Sequence, residues 1–310
     1  MEKLIVCFPG QGAQEPKMAL DLYNYSQGVK DLFQRASDIC DMDFKNILET
    51  YDIKQLSETI ITQTTMVLAE LSALKVLEEE GYIVDSTAGF SLGELSAYRA
   101  SGVLSEDDIF KLVKIRGTLM EASANESSDK ELAMAAVIGI GKDQIFPLLD
   151  NPSFSNVYIA NDNSTKQIVI SGELSEIDAI TPLLKESGAR RVLKLRVASA
   201  FHSPFMNKAE VKFEKVLKDF TFNNPTNTLY CNVSGKVELD GNRIKSLASE
   251  QITHGVQWLT TMKDIKANNV DNLRIVEAGP KKVLTGLFNS EDMVCHPCGT
   301  LEDILGLRNK

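Results

Sequence analysis

Hydrophobic positions recur along this chain in two rhythms. Short apolar runs, Leu4-Ile5-Val6-Cys7-Phe8, residues 82–88 and residues 273–277, each stop at a glycine or proline: Pro9-Gly10, Gly89 and Ala278-Gly279-Pro280. They predict buried strands of a parallel sheet that meet tight loops at their ends. Between them the apolar residues return every three or four positions, predicting helices over 31–40, 62–80, from Glu94 onward, and from a Ser105 cap through Met120. In the second of these, Met66, Leu68, Leu71, Leu74 and Leu77 form the expected buried stripe, and Gly81 the stop.

A polar stretch at 124–130 reads as a linker, and after it the pattern becomes self-contained. Strand-like runs at 132–138, 157–160, 167–171 and 191–197 alternate with helical runs at 142–149 and 175–187 in β-α-β-β-α-β order, with Asn161-Asp162-Asn163-Ser164-Thr165-Lys166 as the hairpin turn. The fold class expected is α/β: a large α/β-hydrolase-like subdomain with a parallel sheet, residues 1–127 and 199–310, carrying an inserted ferredoxin-like subdomain at 128–198.

Composition narrows the function. With 310 residues, 43% of them hydrophobic, the chain can bury a large core without staples. Five scattered cysteines argue for reduced thiols, and the close pair in Cys295-His296-Pro297-Cys298 lacks a second cluster to complete a zinc site, so no metal is expected. A formal charge of −10 repels phosphate backbones and disfavours nucleic acid. Arg190, Arg191, Lys194 and Arg196 form a local basic patch, which either steers an acidic partner or protects a strand edge with charge. The opening strand is too brief for a signal sequence and no apolar run is expected to reach membrane-spanning length, which points to a cytoplasmic protein with no membrane partner.

Candidate chemistry centres on Gly89-Phe90-Ser91-Leu92-Gly93. A G-x-S-x-G between a strand and a helix is a nucleophile elbow, which raises the serine hydroxyl above the sheet and frees the next N–H, that of Leu92, as an oxyanion donor. The glycines of Pro9-Gly10-Gln11-Gly12 let a second loop approach, with the Gln11 N–H as the other donor. A serine also needs a base, and among three histidines His202, in a loop at the return from the insertion, is either that base or a hydrogen-bonded structural histidine, with His254 the rival base. Arg116 lies among apolar neighbours, and by pattern alone is either a snorkelling surface residue or a buried cation awaiting an anion.

Five segments, Phe8-Pro9-Gly10-Gln11-Gly12-Ala13-Gln14, Gly89-Phe90-Ser91-Leu92-Gly93-Glu94, Arg116, Phe201-His202-Ser203 and Gln251…Val256-Gln257-Trp258, occur in order and together resemble the malonyl-CoA:acyl carrier protein transacylases over the whole chain. The resemblance implies Ser91 as nucleophile, His202 as base, Gln251 orienting that histidine through its main-chain carbonyl, and Arg116 pairing with the malonyl carboxylate. It also places Phe201, Asn161 and Gln167 near the substrate, with Phe201 crowding branched acyl groups. The implied partners are malonyl-CoA as substrate and an acidic, phosphopantetheinylated acyl carrier protein; no permanently bound cofactor is implied, and action as a monomer is expected. Phe90 stands where the family usually has histidine, and Gly255 where it usually has proline. Two other readings use the same residues: an acyl hydrolase that edits carrier-bound chains, and a non-catalytic carrier-binding subunit.

Overall fold

Two sheets divide the strands of this computed structural model, which describes residues 2–126, 131–195, 197, 199–269 and 273–309. In chain order the strands are β1 (Lys3–Phe8), β2 (Ile83–Gly89), β3 (Leu132–Ile138), β4 (Val157–Ser164), β5 (Gln167–Glu173), β6 (Arg191–Lys194), β7 (Thr228–Cys231), β8 (Lys236–Glu238), β9 (Arg274–Glu277) and β10 (Cys295–Pro297). The larger sheet has the order β10-β9-β1-β2-β7-β8, parallel except for β8, and the smaller is an antiparallel β4-β5-β3-β6 sheet. Residues Leu4 to Phe8 of β1 are buried, as a central parallel strand covered on both faces requires. The chain leaves β1 toward β2 on one side and returns to β9 on the other. The loops after β1 and β2 therefore meet where an open α/β sheet presents its ligand crevice.

The expected single stripe on the second long helix is replaced by burial on every side. Helix Thr59–Glu79 buries Thr62 through Leu74 without a break, because helices Gln27–Cys40, Glu94–Ala100 and Glu106–Glu126 pack around it. Its hydroxyls cost little there, since Thr64 donates to Ile60 O (2.8 Å), Thr65 to Ile61 O (2.6 Å) and Ser72 to Leu68 O (2.7 Å). By length and composition alone this helix would span a membrane, contrary to the expectation for the sequence; it is a core helix.

The insertion differs from its expected form in three ways. β4 runs on through Asn161 to Ser164, so the turn shrinks to Thr165-Lys166 and the two asparagines are buried strand residues. Register shifts on either side of Asn161 and Asp162 accommodate them. β6 ends at Lys194 as an exposed sheet edge, with Lys194 paired to Asp178 at 2.7 Å; Arg196 lies outside the described residues, as do positions 127–130 of the linker, while 124–126 close a helix. β4 also pairs with a loop outside both sheets: Asp162 N donates to Val256 O and Val256 N to Ala160 O, both at 2.9 Å, and the next residue, Gln257, donates its N–H to Asn232 O after β7 at 2.9 Å. Cys295 and Cys298 are buried thiols, and the described residues contain no cluster of three metal-ligating side chains.

Candidate active site

β2 ends at Gly89, paired with Phe8 of β1, and the Phe90 N–H continues the ladder to Phe8 O at 2.8 Å. The chain then turns through a 3-10 segment, Ser91–Gly93, into helix Glu94–Ala100. The turn is tight enough that a Cβ on Gly89 would overlap the Gly93 carbonyl, and one on Gly93 would overlap the carbonyls of Phe8 and Pro9. Both glycines are thus required by backbone contact. Ser91 itself sits at φ 51°, a left-handed conformation that costs a non-glycine residue ~1–3 kcal/mol and that surrounding structure must enforce. The Asn232 amide does so, accepting from Ser91 N at 2.6 Å and donating to Gly89 O.

His202 meets this serine from 111 residues away, its Nε2 2.7 Å from Ser91 Oγ. Its Nδ1 lies 2.8 Å from Gln251 O and 3.1 Å from His254 O. Carbonyls only accept, so the ring proton sits on Nδ1 and the Nε2 lone pair faces the hydroxyl. Burial, and then the Arg116 charge, hold the imidazole pKa down at about 4, against the two carbonyl bonds that favour the cation. The imidazole is therefore neutral at pH 7. The rival, His254, is exposed with its ring on Glu250 O, and reaches the site only through its backbone carbonyl.

Arg116 is 2% exposed, which excludes the snorkelling alternative. From helix Glu106–Glu126 it donates to Gln63 Oε1 and Gln251 Oε1, each at 2.9 Å. Among the described residues no carboxylate lies within ion-pair distance of it. Burial lowers its pKa to about 10, so it keeps its charge at neutral pH. Two neutral amides thus fix a buried cation without neutralising it. Gln251 holds the site twice, by its carbonyl on His202 and its amide on Arg116, Ser91 O (2.8 Å) and Glu94.

These groups open on one cavity of about 220 Å3. Gln11, Leu92 and Phe90 form the wall from the larger sheet; Met134, Asn161, Asn163, Gln167 and Val169 form the opposite wall from β3, β4 and β5. Phe201 closes one side, 5% exposed. The Gln11 loop can come this close because Gly10 lacks a side chain, as a Cβ there would stand 2.6 Å from Phe90 O. Phe90 packs edge-on against Trp258, centroids 5.4 Å apart, so the aromatic ring that precedes the serine is a wall and carries no titratable group. All the residues singled out from sequence, Gln11, Ser91, Leu92, Arg116, Asn161, Phe201, His202 and Gln251, lie at this cavity or hydrogen-bond to a group that does. Sequence reasoning assigns no role to Gln63, Glu94 or Asn232. Their one signal is polarity, inside an apolar helix for Gln63 and in the first turn after the elbow for Glu94.

The acyl transferase domain family matches residues 6–288. Malonyl CoA-acyl carrier protein transacylase of Synechocystis sp. is 34% identical over 302 residues, covering 97% of this chain and 98% of that protein. The protein of the same description from Staphylococcus aureus is 35% identical over 311 residues, covering 99% and 98%. Among solved structures, a type II PKS acyl-carrier protein in complex with its malonyl-transacylase superposes with TM-score 0.92 at 28% identity over all of both chains. The malonyl-CoA:acyl carrier protein transacylase of Xanthomonas oryzae superposes with TM-score 0.91 at 30% identity, covering 100% of this chain and 98% of that one. With a family match across most of its length and full-length relatives above 30% identity, the chain belongs to the malonyl-CoA:acyl carrier protein transacylases of the acyl transferase family.

Proposed function

We propose that this chain transfers malonyl from malonyl-CoA to the phosphopantetheine thiol of an acyl carrier protein through an ester on Ser91. The carrying observation is the buried Arg116 cation, held by two amide oxygens, with no carboxylate partner among the described residues, in the cavity that holds the Ser91–His202 pair. A desolvated guanidinium is suited to a planar carboxylate, which malonyl has and acetyl lacks. An acyl hydrolase for plain acyl chains would gain nothing from it.

The reaction has two halves. His202 Nε2 takes the Ser91 proton as Oγ attacks the thioester carbonyl, and the oxyanion faces the Gln11 and Leu92 N–H groups. The intermediate collapses, the thiolate of coenzyme A leaves with the proton from His202, and malonyl stays on Ser91. The carrier thiol then gives its proton to His202, attacks the ester and departs as the malonyl thioester, restoring the serine hydroxyl. In this reading residues 128–198 form the ferredoxin-like subdomain, 1–127 and 199–310 the α/β-hydrolase-like one, and the enzyme works in the cytoplasm as a monomer in fatty-acid or polyketide synthesis without a resident cofactor. Intact-mass measurement after incubation with malonyl-CoA tests it: a malonyl increment that maps to Ser91 supports the assignment, and an unmodified chain or an adduct elsewhere overturns it.

A further inference from the structure

The Gln251 amide can be placed in one orientation only. Its Nε2 faces Ser91 O and a Glu94 carboxylate oxygen, both acceptors, and its Oε1 faces the Arg116 guanidinium, a donor. Exchanging the two ends would set donor against donor at Arg116 and oxygen against oxygen at the other two contacts. Glu94 is 1% exposed, and its second oxygen accepts from Asn232 N at 2.9 Å. Asn232 in turn holds Ser91 N and Gly89 O. Glu94 touches neither the cavity nor the reacting atoms; burial pushes its pKa up to about 7, against the Asn232 and Gln251 bonds that favour the carboxylate, so above that pH both oxygens accept.

We infer that Glu94 is a positioning residue that sets the acyl specificity of the site: by accepting on both oxygens it locks the Gln251 amide, which aims Arg116 at the substrate carboxylate. The inference rests on the proposed malonyl transfer and deepens it. A residue in the first turn of the elbow helix is thereby linked to substrate choice through one amide.

Glu94→Gln is the critical variant, because it keeps the shape and removes one acceptor. Whichever way the substituted amide turns, its NH2 opposes either Asn232 N–H or Gln251 NH2, and relief at the second contact flips Gln251 so that its NH2 faces Arg116. The measurement, made at about pH 8 where Glu94 is ionised, is the ratio of kcat/KM for malonyl-CoA over acetyl-CoA in acylation of the full chain, with the thermal midpoint recorded beside it. Loss of a hydrogen bond to a charged group should lower this ratio about tenfold. A merely destabilising change reduces both substrates alike and leaves the ratio still. Glu94→Asp, which keeps two accepting oxygens, should retain the larger part of it. An unchanged ratio in Glu94→Gln, or an equal fall in both variants, overturns the inference. If Glu94→Gln does not fold, Gln251→Leu, which keeps the carbonyl that binds His202, reads the same ratio, and no change there overturns it as well. Wild-type protein that takes no malonyl on Ser91 defeats the functional reading itself. Normal malonylation, with selectivity lost in Arg116→Ala and kept in Glu94→Gln, defeats only the role of Glu94.

Discussion

In the proposed reaction, replacing Arg116 by alanine removes the buried cation that would pair with the malonyl carboxylate. Arginine has five N–H donors, and two groups of the fork are spent on Gln63 and Gln251. The remaining donors can take a carboxylate side-on. Hydrogen bonds to charged groups contribute ~1.5–3 kcal/mol each, so a pair gives ~3–6 kcal/mol. Water entering the vacated space recovers part of this, and ~3 kcal/mol is the conservative figure, about a hundredfold in kcat/KM. Acetyl-CoA carries no carboxylate and should lose little. The assay is competitive acylation with malonyl-CoA and acetyl-CoA, read as the mass of the acyl-enzyme, with the individual rate constants taken from quenched time courses. The malonyl preference should fall about a hundredfold while acetylation of Ser91 persists. If the preference stays within about threefold of wild type, the carboxylate is recognised elsewhere and Arg116 is not its partner. The variant also leaves two buried amide oxygens without donors, ~1–3 kcal/mol each, so the thermal midpoint should drop and must be measured so that unfolded protein is not read as lost selectivity.

Other outcomes follow from the same geometry. His202→Ala should slow acylation by ~10²–10⁴-fold with both acyl donors, measured by burst amplitude and rate; equal slowing separates it from Arg116→Ala. Because the folded imidazole titrates near pH 4, below its ordinary 6.5, and only the neutral form accepts the serine proton, kcat/KM for acetyl-CoA should be flat from pH 6 to 8 and fall only as pH drops through about 4; an inflection near 6.5 in the pH-rate profile would contradict burial as the cause of the shift. Asn232→Ala removes the acceptor that holds Ser91 at positive φ and should lower malonyl and acetyl transfer by similar factors of about ten, without changing their ratio. Gly93→Ala forces a methyl into the Phe8 and Pro9 carbonyls and should cost more than about 3 kcal/mol in denaturant unfolding; near-native stability would show that the elbow relaxes.

The elements that carry the chemistry were legible where a local rule sufficed. The strand–G-x-S-x-G–helix sequence reports its own backbone, since contact at Gly89 and Gly93 demands glycine, and the change of rhythm after residue 131 marked the antiparallel sheet strand by strand. What was hidden depends on contacts between distant segments. β7 is four residues, Thr228–Cys231, with no alternation to detect, yet it pairs with β2 and delivers Asn232 beneath Ser91. Nothing near Gln63 in sequence reveals that Arg116, 53 residues later, will meet it. Asn161 to Ser164 has the composition of a turn, and it is the cavity, which Asn161 and Asn163 line, that gives those two polar residues a place in a buried strand.

The backbone bond from Val256 to β4 places a mechanical condition on how substrates arrive. Five residues before Val256, the same piece of chain supplies the carbonyl that steadies the imidazole. Pulling β4 away from this loop would tug on that carbonyl and so disturb the imidazole that donates to it. Entry of the coenzyme A and carrier arms without displacement of β4 from this loop leaves that carbonyl where it is.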